Sequence, residues 1–349
     1  MKINGIKRKK FSSDADFIQA LLDAENSGHV RLPSGTFFID KPIVITNGST
    51  LEMQSNTVLV ATTEMDFVLS YIEHGGEFKA ANRTNEPEIK SASKATGHFV
   101  MNTSKRISGG VIDGAGLANG LLVSDFRHLT VENVSIFNGK KYGLYVNHGV
   151  ELYANNLYIR TTMSGLAGNV GVYTNGGDSH YSDIIVIDCT IGVLLDDYDT
   201  GANRLFRCHV WGGPMPALPG ESEPEYLKDS IGFKVVSGEN VLRDCYADTS
   251  KIGYDVHNWT RMLGCAYYNN YRAFGLDGVT VIKKNNDDPL MVKDCFLKKS
   301  CPDCKLFEGD KTNVVWRDNL LFEMDQPDFG EGGIAYFLPE GHPDTAYAR

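Results

Sequence analysis

Four residues of this chain carry groups that could exchange protons with a bound molecule: Asp196, Lys234, Asp255 and His257. Their common feature is a fixed offset from a glycine. Lys234 and Asp255 stand two residues after Gly232 and Gly253, whereas Asp196 and His257 stand four after Gly192 and Gly253. The same offsets from Gly143 and Gly171 hold Tyr145 and Tyr173, then Asn147 and Asn175. Two carboxyl groups could hydrolyse a glycosidic bond, at about 5–5.5 Å apart with retention or roughly 6.5–9.5 Å with inversion. Lys234 or His257 could instead act as a base on a sugar C5 proton, tuned by the carboxylates beside it. Tyrosine faces beside amides suit sugar rings, which need an apolar platform and directed hydrogen bonds. The plain alternative is a solvated charged ladder in which Lys234 neutralises its neighbours, flanked by tyrosines that are simply good strand residues.

For these offsets to matter, the elements carrying them must stack. Segments of the form Gly-apolar-x-apolar recur at Gly120, Gly143, Gly171, Gly192, Gly232 and Gly253, and Ala273-Phe274-Gly275-Leu276 fits a seventh, degraded copy. Ahead of most of them lies a second segment in which Asn, Asp or Gly, once Arg, precedes a small apolar anchor. The anchors are Val111, Val134, Leu157, Ile184, Cys208, Cys245, Cys265 and Cys295. A unit of about 20–24 residues holding short strands, lengthened at one fixed place, is the mark of a β-solenoid. Period-2 alternation puts the residues one and three after each glycine inside and those two and four after it outside. Asp196 and Asp255 are then two rungs apart, or about 10 Å between backbones. Cys208, Cys245 and Cys265 fall in one interior column, where a thiol packs as a small hydrophobe.

Composition agrees. Thirty-six glycines against 12 prolines indicate many turns between short strands. A net charge of −10 argues against nucleic acid or an anionic membrane as the partner, and no run approaches a membrane span. The basic start Met1–Lys10 leads into Phe11-Ser12-Ser13-Asp14 without an apolar stretch, so no signal peptide is expected and the seven cysteines read as reduced thiols. Ser13 can cap a helix whose Phe17, Ile18, Leu21 and Leu22 form one apolar face, suited to cover the open end of the first coil. Residues 79–98 read as an insertion loop. Residues 212–229 form the longest insertion and lead into the rung of Lys234; Glu221, Glu223 or Glu225 there could add a carboxylate beside it.

Asp14–Leu22 followed by Leu32-Pro33-Ser34-Gly35-Thr36-Phe37, together with Gly110-Val111-Ile112-Asp113-Gly114-Ala115-Gly116, resembles the pectate-lyase-like right-handed parallel β-helix superfamily. The resemblance covers about residues 13–298. It implies a fold more than an activity, since the superfamily holds lyases, hydrolases, epimerases, fructan-converting transferases and phage tailspikes. Polygalacturonase-type hydrolases place aspartates just before the repeated glycine strand. Here those positions are Asn119, Tyr142, Val170, Ile191, Ile231 and Ile252, which departs from that branch.

The expected fold is therefore all-β, a single-stranded right-handed parallel β-helix with an N-terminal capping helix. Residues 1–30 form the arm and cap, 31–299 the β-helix, and 300–349 a terminal cap or oligomer contact. The expected function is polysaccharide depolymerisation, by a glycoside hydrolase or lyase similar to phage or prophage tailspikes. Asp196, Asp255, Lys234 and His257 form the catalytic set, and Tyr145, Tyr173, Asn147, Asn175, Trp211 and Glu223 bind substrate. The alternatives are a fructan-converting fructotransferase with paired carboxylates and a non-catalytic saccharide-binding or structural tail protein. A second exterior face, with Tyr158, Arg160, His209, Trp211, Tyr246, Asp248 and Tyr268, is either another saccharide groove or, as the resemblance favours, the contact of a homotrimer. The partner is a polysaccharide or oligosaccharide, not nucleic acid or membrane, and the location is cytoplasmic or on a virion. No cofactor is expected. Asp196-Asp197-Tyr198-Asp199 with Asp178 is a weak Ca²⁺ candidate, and Cys301-Pro302-Asp303-Cys304 lacks the further ligands that zinc needs.

Overall fold

The computed structural model describes residues 2–3, 6–24, 28–46, 49–72, 105–161, 168–196, 201–212, 229–268, 278–284, 288–298 and 305–322. These residues form a parallel β-solenoid built on three parallel sheets, with one short α-helix near the N-terminus. Two compact units divide the chain, Met1–Tyr158 and Ile159–Arg349.

In the first unit, α1 spans Asp14–Ala24 and buries Ala15, Phe17, Ile18, Leu21 and Leu22. Ser13 caps it as expected, its Oγ accepting from the Asp16 amide at 3.2 Å. The helix also closes an open sheet edge. Asp14 Oδ2 accepts from the Phe38 amide, and the Gln19 amide group both donates to and accepts from the Val44 backbone, each at 2.9 Å. Edge groups that would otherwise template another chain are thereby satisfied. The glycine-strand sheet of this unit contains Ile43–Ile45, Phe67–Ile72, Asn119–Ser124 and Tyr142–Asn147, each paired in parallel with the strand one coil away.

In the second unit, the same sheet runs through Ile191–Leu195, Ile231–Val235, Ile252–Val256, Val279–Lys283 and Lys305–Gly309. The anchor sheet runs through Ile185–Ile187, His209–Trp211, Tyr246–Asp248, Ala266–Tyr268, Phe296–Lys298 and Leu320–Phe322. The ladders thus extend past residue 299, where the sequence pattern fades. Each coil also has a third strand, such as Arg204–Phe206 or Asn240–Arg243, which no fixed glycine or polar residue announces in the sequence.

Two physical causes produce the repeat. The polar residue before each anchor turns a corner in the left-handed region: φ is 58° at Asn133, 54° at Asp183, 53° at Asp244 and 56° at Asp294. Asn and Asp tolerate that region better than other non-glycine residues. Arg207 holds the same position at φ 50°, tied to Asp183 by two hydrogen bonds of 2.7 and 2.6 Å. The recurring glycine is a matter of space: a Cβ on Gly192 would stand 2.2 Å from Val210 Cγ1 across the interior.

The cysteines pile up as expected. Tyr246, Ala266 and Phe296 donate their amides to the carbonyls of Cys208, Cys245 and Cys265, and all four cysteines including Cys295 are buried. Burial holds the Cys245 thiol well above its ordinary pKa and pushes Cys189 up to about 12, so both pack as protonated thiols.

The seventh copy requires a correction. The strand following Ile252–Val256 in its sheet is Val279–Lys283, with Tyr254 opposite Val281 and Asp255 opposite Ile282. Ala273-Phe274-Gly275-Leu276 lies outside the described residues. Thr280, fully buried, occupies the glycine's place, so the mark that defines the other copies is missing from this one. Lys283 consequently falls in the interior column beside Val256 and donates to Asp310 Oδ2 at 2.9 Å and the Thr312 carbonyl at 2.8 Å.

Candidate functional site

Within the second unit, register makes Leu194, Lys234 and Asp255 vertical neighbours on the outside of the glycine-strand sheet. Asp255 and His257 lie two residues apart on the chain and so share that face. His257 Nε2 stands 3.2 Å from Asp255 Oδ2, at ion-pair distance but without the alignment of a hydrogen bond. Asp255 is not the solvated group that an exterior position implies: its side chain is 7% exposed, against 31% for His257. Its second oxygen, Oδ1, is buried with no hydrogen-bond partner among the described residues. Lys234 is half-buried and makes no ion pair or hydrogen bond among them. A buried carboxylate with an unused oxygen, a histidine at its other oxygen and a lysine one rung away can hold, donate or accept a proton.

Asp196 belongs to a different arrangement. The Tyr173 hydroxyl donates to Asp196 Oδ2 at 2.8 Å, so the expected platform tyrosine and the expected catalytic carboxylate form a pair. The ladder keeps Asp196 two strands from Asp255. Asn175 is half-buried beyond the end of Val170–Thr174. Trp211 lies on the anchor sheet, opposite Ile187 and Asp248, and does not join the catalytic set. On that sheet His209 stacks on Tyr246 at 4.3 Å and 9°, and Tyr246 meets Tyr268 edge-on at 5.0 Å. Glu223, Asp197, Tyr198, Asp199 and the Cys301–Cys304 pair lie outside the described residues. Among the described residues no group of three or more His, Cys, Asp or Glu side chains could hold a metal ion.

Within the first unit, Tyr145 and Asn147 line a cleft of about 530 Å³ with Asp66, Phe67, Ser70 and Tyr142. Its walls are in-register columns: Phe67 opposite Asn119, Ser70 beside Leu122 beside Tyr145, and Ser124 beside Asn147. Tyr142 meets Tyr145 edge-on at 4.7 Å, and Phe67 leans on Tyr145 at 5.9 Å. Asn147 Nδ2 donates to Ser124 Oγ at 2.9 Å, and Ser124 Oγ donates to Asp125. Sequence reasoning missed Phe67 and Tyr142. Tyr142 had a signal, since it directly precedes Gly143. Phe67 had none, because Val68 replaces the glycine in its coil.

No family model matches the chain, and no curated protein does so at a significant level. Solved structures do. The chain aligns with ORF18 of Geobacillus virus E2 at a TM-score of 0.61 and 14% identity, over 90% of this chain and 60% of that one. The fold the two share is the parallel β-helix. Alginate lyase from Paenibacillus sp. str. FPU-7 aligns at 0.53 and 14% identity, covering 86% of this chain and 96% of the lyase. The A-module of the Azotobacter vinelandii mannuronan C-5 epimerase AlgE4 aligns at 0.54 and 13%, covering 95% and 97%. The parallel β-helix is thus shared with proteins of several activities, and this chain spans 60% of the viral one. Among the described residues no helix is long and apolar enough to cross a membrane.

Proposed function

We propose that this chain is a polysaccharide depolymerase of the phage or prophage tail type, with Asp255, His257 and Lys234 as its acid–base centre. One observation carries the reading. Asp255 is buried on the outer face of a sheet, with one oxygen at His257; among the described residues its other oxygen and the lysine one rung away have no partner. A buried carboxylate left half-satisfied is costly to a fold that gains nothing from it. The structural neighbours named above, a viral protein, an alginate lyase and a mannuronan epimerase, support a carbohydrate setting.

The arrangement favours elimination. Lys234 neutralises the carboxylate of a uronate residue, and His257, held by Asp255, takes the C5 proton. The freed electron pair forms the C4–C5 double bond, and the glycosidic oxygen leaves with its bonding pair and takes a proton from solvent water. Hydrolysis is the second reading, with Asp196 as partner to Asp255. With one strand between theirs, their backbones stand two rungs or about 10 Å apart, at the outer edge of the inverting range.

Incubation with a panel of bacterial and plant polysaccharides, followed by mass spectrometry, tests the proposal. Products with an unsaturated end establish the lyase, and products heavier by water the hydrolase. Cyclic anhydrides indicate a transferase, and no product from any member returns the chain to binding alone. Asp255→Asn and His257→Gln should each lower turnover about 10²-fold or more, the usual worth of a positioned proton-transfer group. Unchanged turnover in both variants removes this centre.

A further inference from the structure

The cleft of the first unit differs in charge from the Asp255 centre. Among the described residues that line it, Asp66 is the only charged one. Two lysines beside Tyr142 in the sequence are engaged: Lys141 Nζ lies 5.0 Å over the Tyr142 ring, and Lys140 Nζ is 3.4 Å from Glu64. A uronate bound here would face the carboxylate of Asp66, with no cation among the described lining residues. The remaining lining offers what an uncharged ring needs. Phe67, Tyr142 and Tyr145 form an aromatic corner, and Ser70 and Asn147 supply hydroxyl and amide groups. Asp66 is exposed and can accept from two neighbouring sugar hydroxyls, which a carboxylate's paired oxygens suit.

We propose that this cleft binds an uncharged pyranose residue, with its apolar face on Tyr145 and its hydroxyls directed to Asp66, Ser70 and Asn147. The inference rests on the carbohydrate reading above and adds the charge class of a second contact.

The test uses the full chain on an array of neutral, uronate-containing and amino-sugar oligosaccharides, followed by calorimetric titration of the hits. The expected result is binding of neutral oligosaccharides that is insensitive to NaCl. Tyr145→Ala should weaken it about tenfold, equivalent to roughly 1.4 kcal/mol. Asp66→Lys should lower neutral binding and admit uronate oligomers. This second variant lies at an exposed position, and circular dichroism on both variants separates lost binding from lost fold. Uronate oligomers bound by the wild type and lost in Tyr145→Ala would overturn the charge assignment while leaving the carbohydrate reading intact. Neutral binding that neither variant alters would overturn the site. If no oligosaccharide of any class binds, the carbohydrate reading fails together with the cleft.

Discussion

Asp255 and His257 face one way because they are two residues apart on a strand, and that much is readable from their numbers. The burial of Asp255 is not, because burial sums over segments remote in the sequence. The pairing of Tyr173 with Asp196 was equally hidden, although both residues had been placed on the outer face: hydrogen bonding depends on rotamers that an offset from glycine does not specify. His209 offers a test at this scale. It stacks on Tyr246 with a buried Nε2 that has no partner among the described residues, and burial lowers its pKa below the ordinary histidine value while Asp248 opposes the shift. The unfolded chain therefore takes up this proton at a higher pH than the folded one. Stability is full above the unfolded value of about 6.5 and declines as pH falls below it. Urea midpoints measured from pH 8 to 5 should drop in the wild type, and His209→Gln should flatten part of that drop. An identical pH profile in the variant would show that His209 does not carry it.

At the scale of elements, the corners set the register. Gly110, Asn133, Asp183, Asp244 and Asp294 were visible as a recurring polar or glycine position, and the coordinates supply its cause in positive φ. Asp244 is exposed and its side chain makes an exposed ion pair with Arg243 at 3.7 Å, so backbone preference should dominate its substitutions. Asp244→Gly should stay within a few tenths of a kcal/mol of the wild type, whereas Asp244→Val should lose about 1–2 kcal/mol in urea unfolding. Equal losses for the two would mean that the aspartate side chain, not the corner, matters. The seventh copy shows where such reading fails. With Thr280 in the glycine's place, the apolar run at Ala273–Leu276 offered a better textual match than the strand that forms at Val279–Lys283.

For the molecule as a whole, a stack of parallel coils has an open end that must be closed. Here α1 satisfies the Phe38 and Val44 backbone and covers a surface that includes Ile39, Ile43 and Ile45, all fully buried. Deleting residues 1–24 should yield a protein that associates through this edge, seen as large species in size-exclusion chromatography with light scattering. A truncated chain that elutes and melts like the wild type would show that α1 is dispensable as a cap.

The sequence by itself determined the coil, the inward cysteine column, the capping helix and which residues lie on which face. Those follow from local periodicity, corner conformation and the space a glycine leaves, each set by a few neighbouring residues. Only the tertiary structure decided that Asp255 is buried with one oxygen unpartnered among the described residues, that Asp196 is held by Tyr173, and that Phe67 and Tyr142 join Tyr145 around a cleft. Each of these depends on side chains a coil or more apart in the chain, and their meeting is set by the packed result.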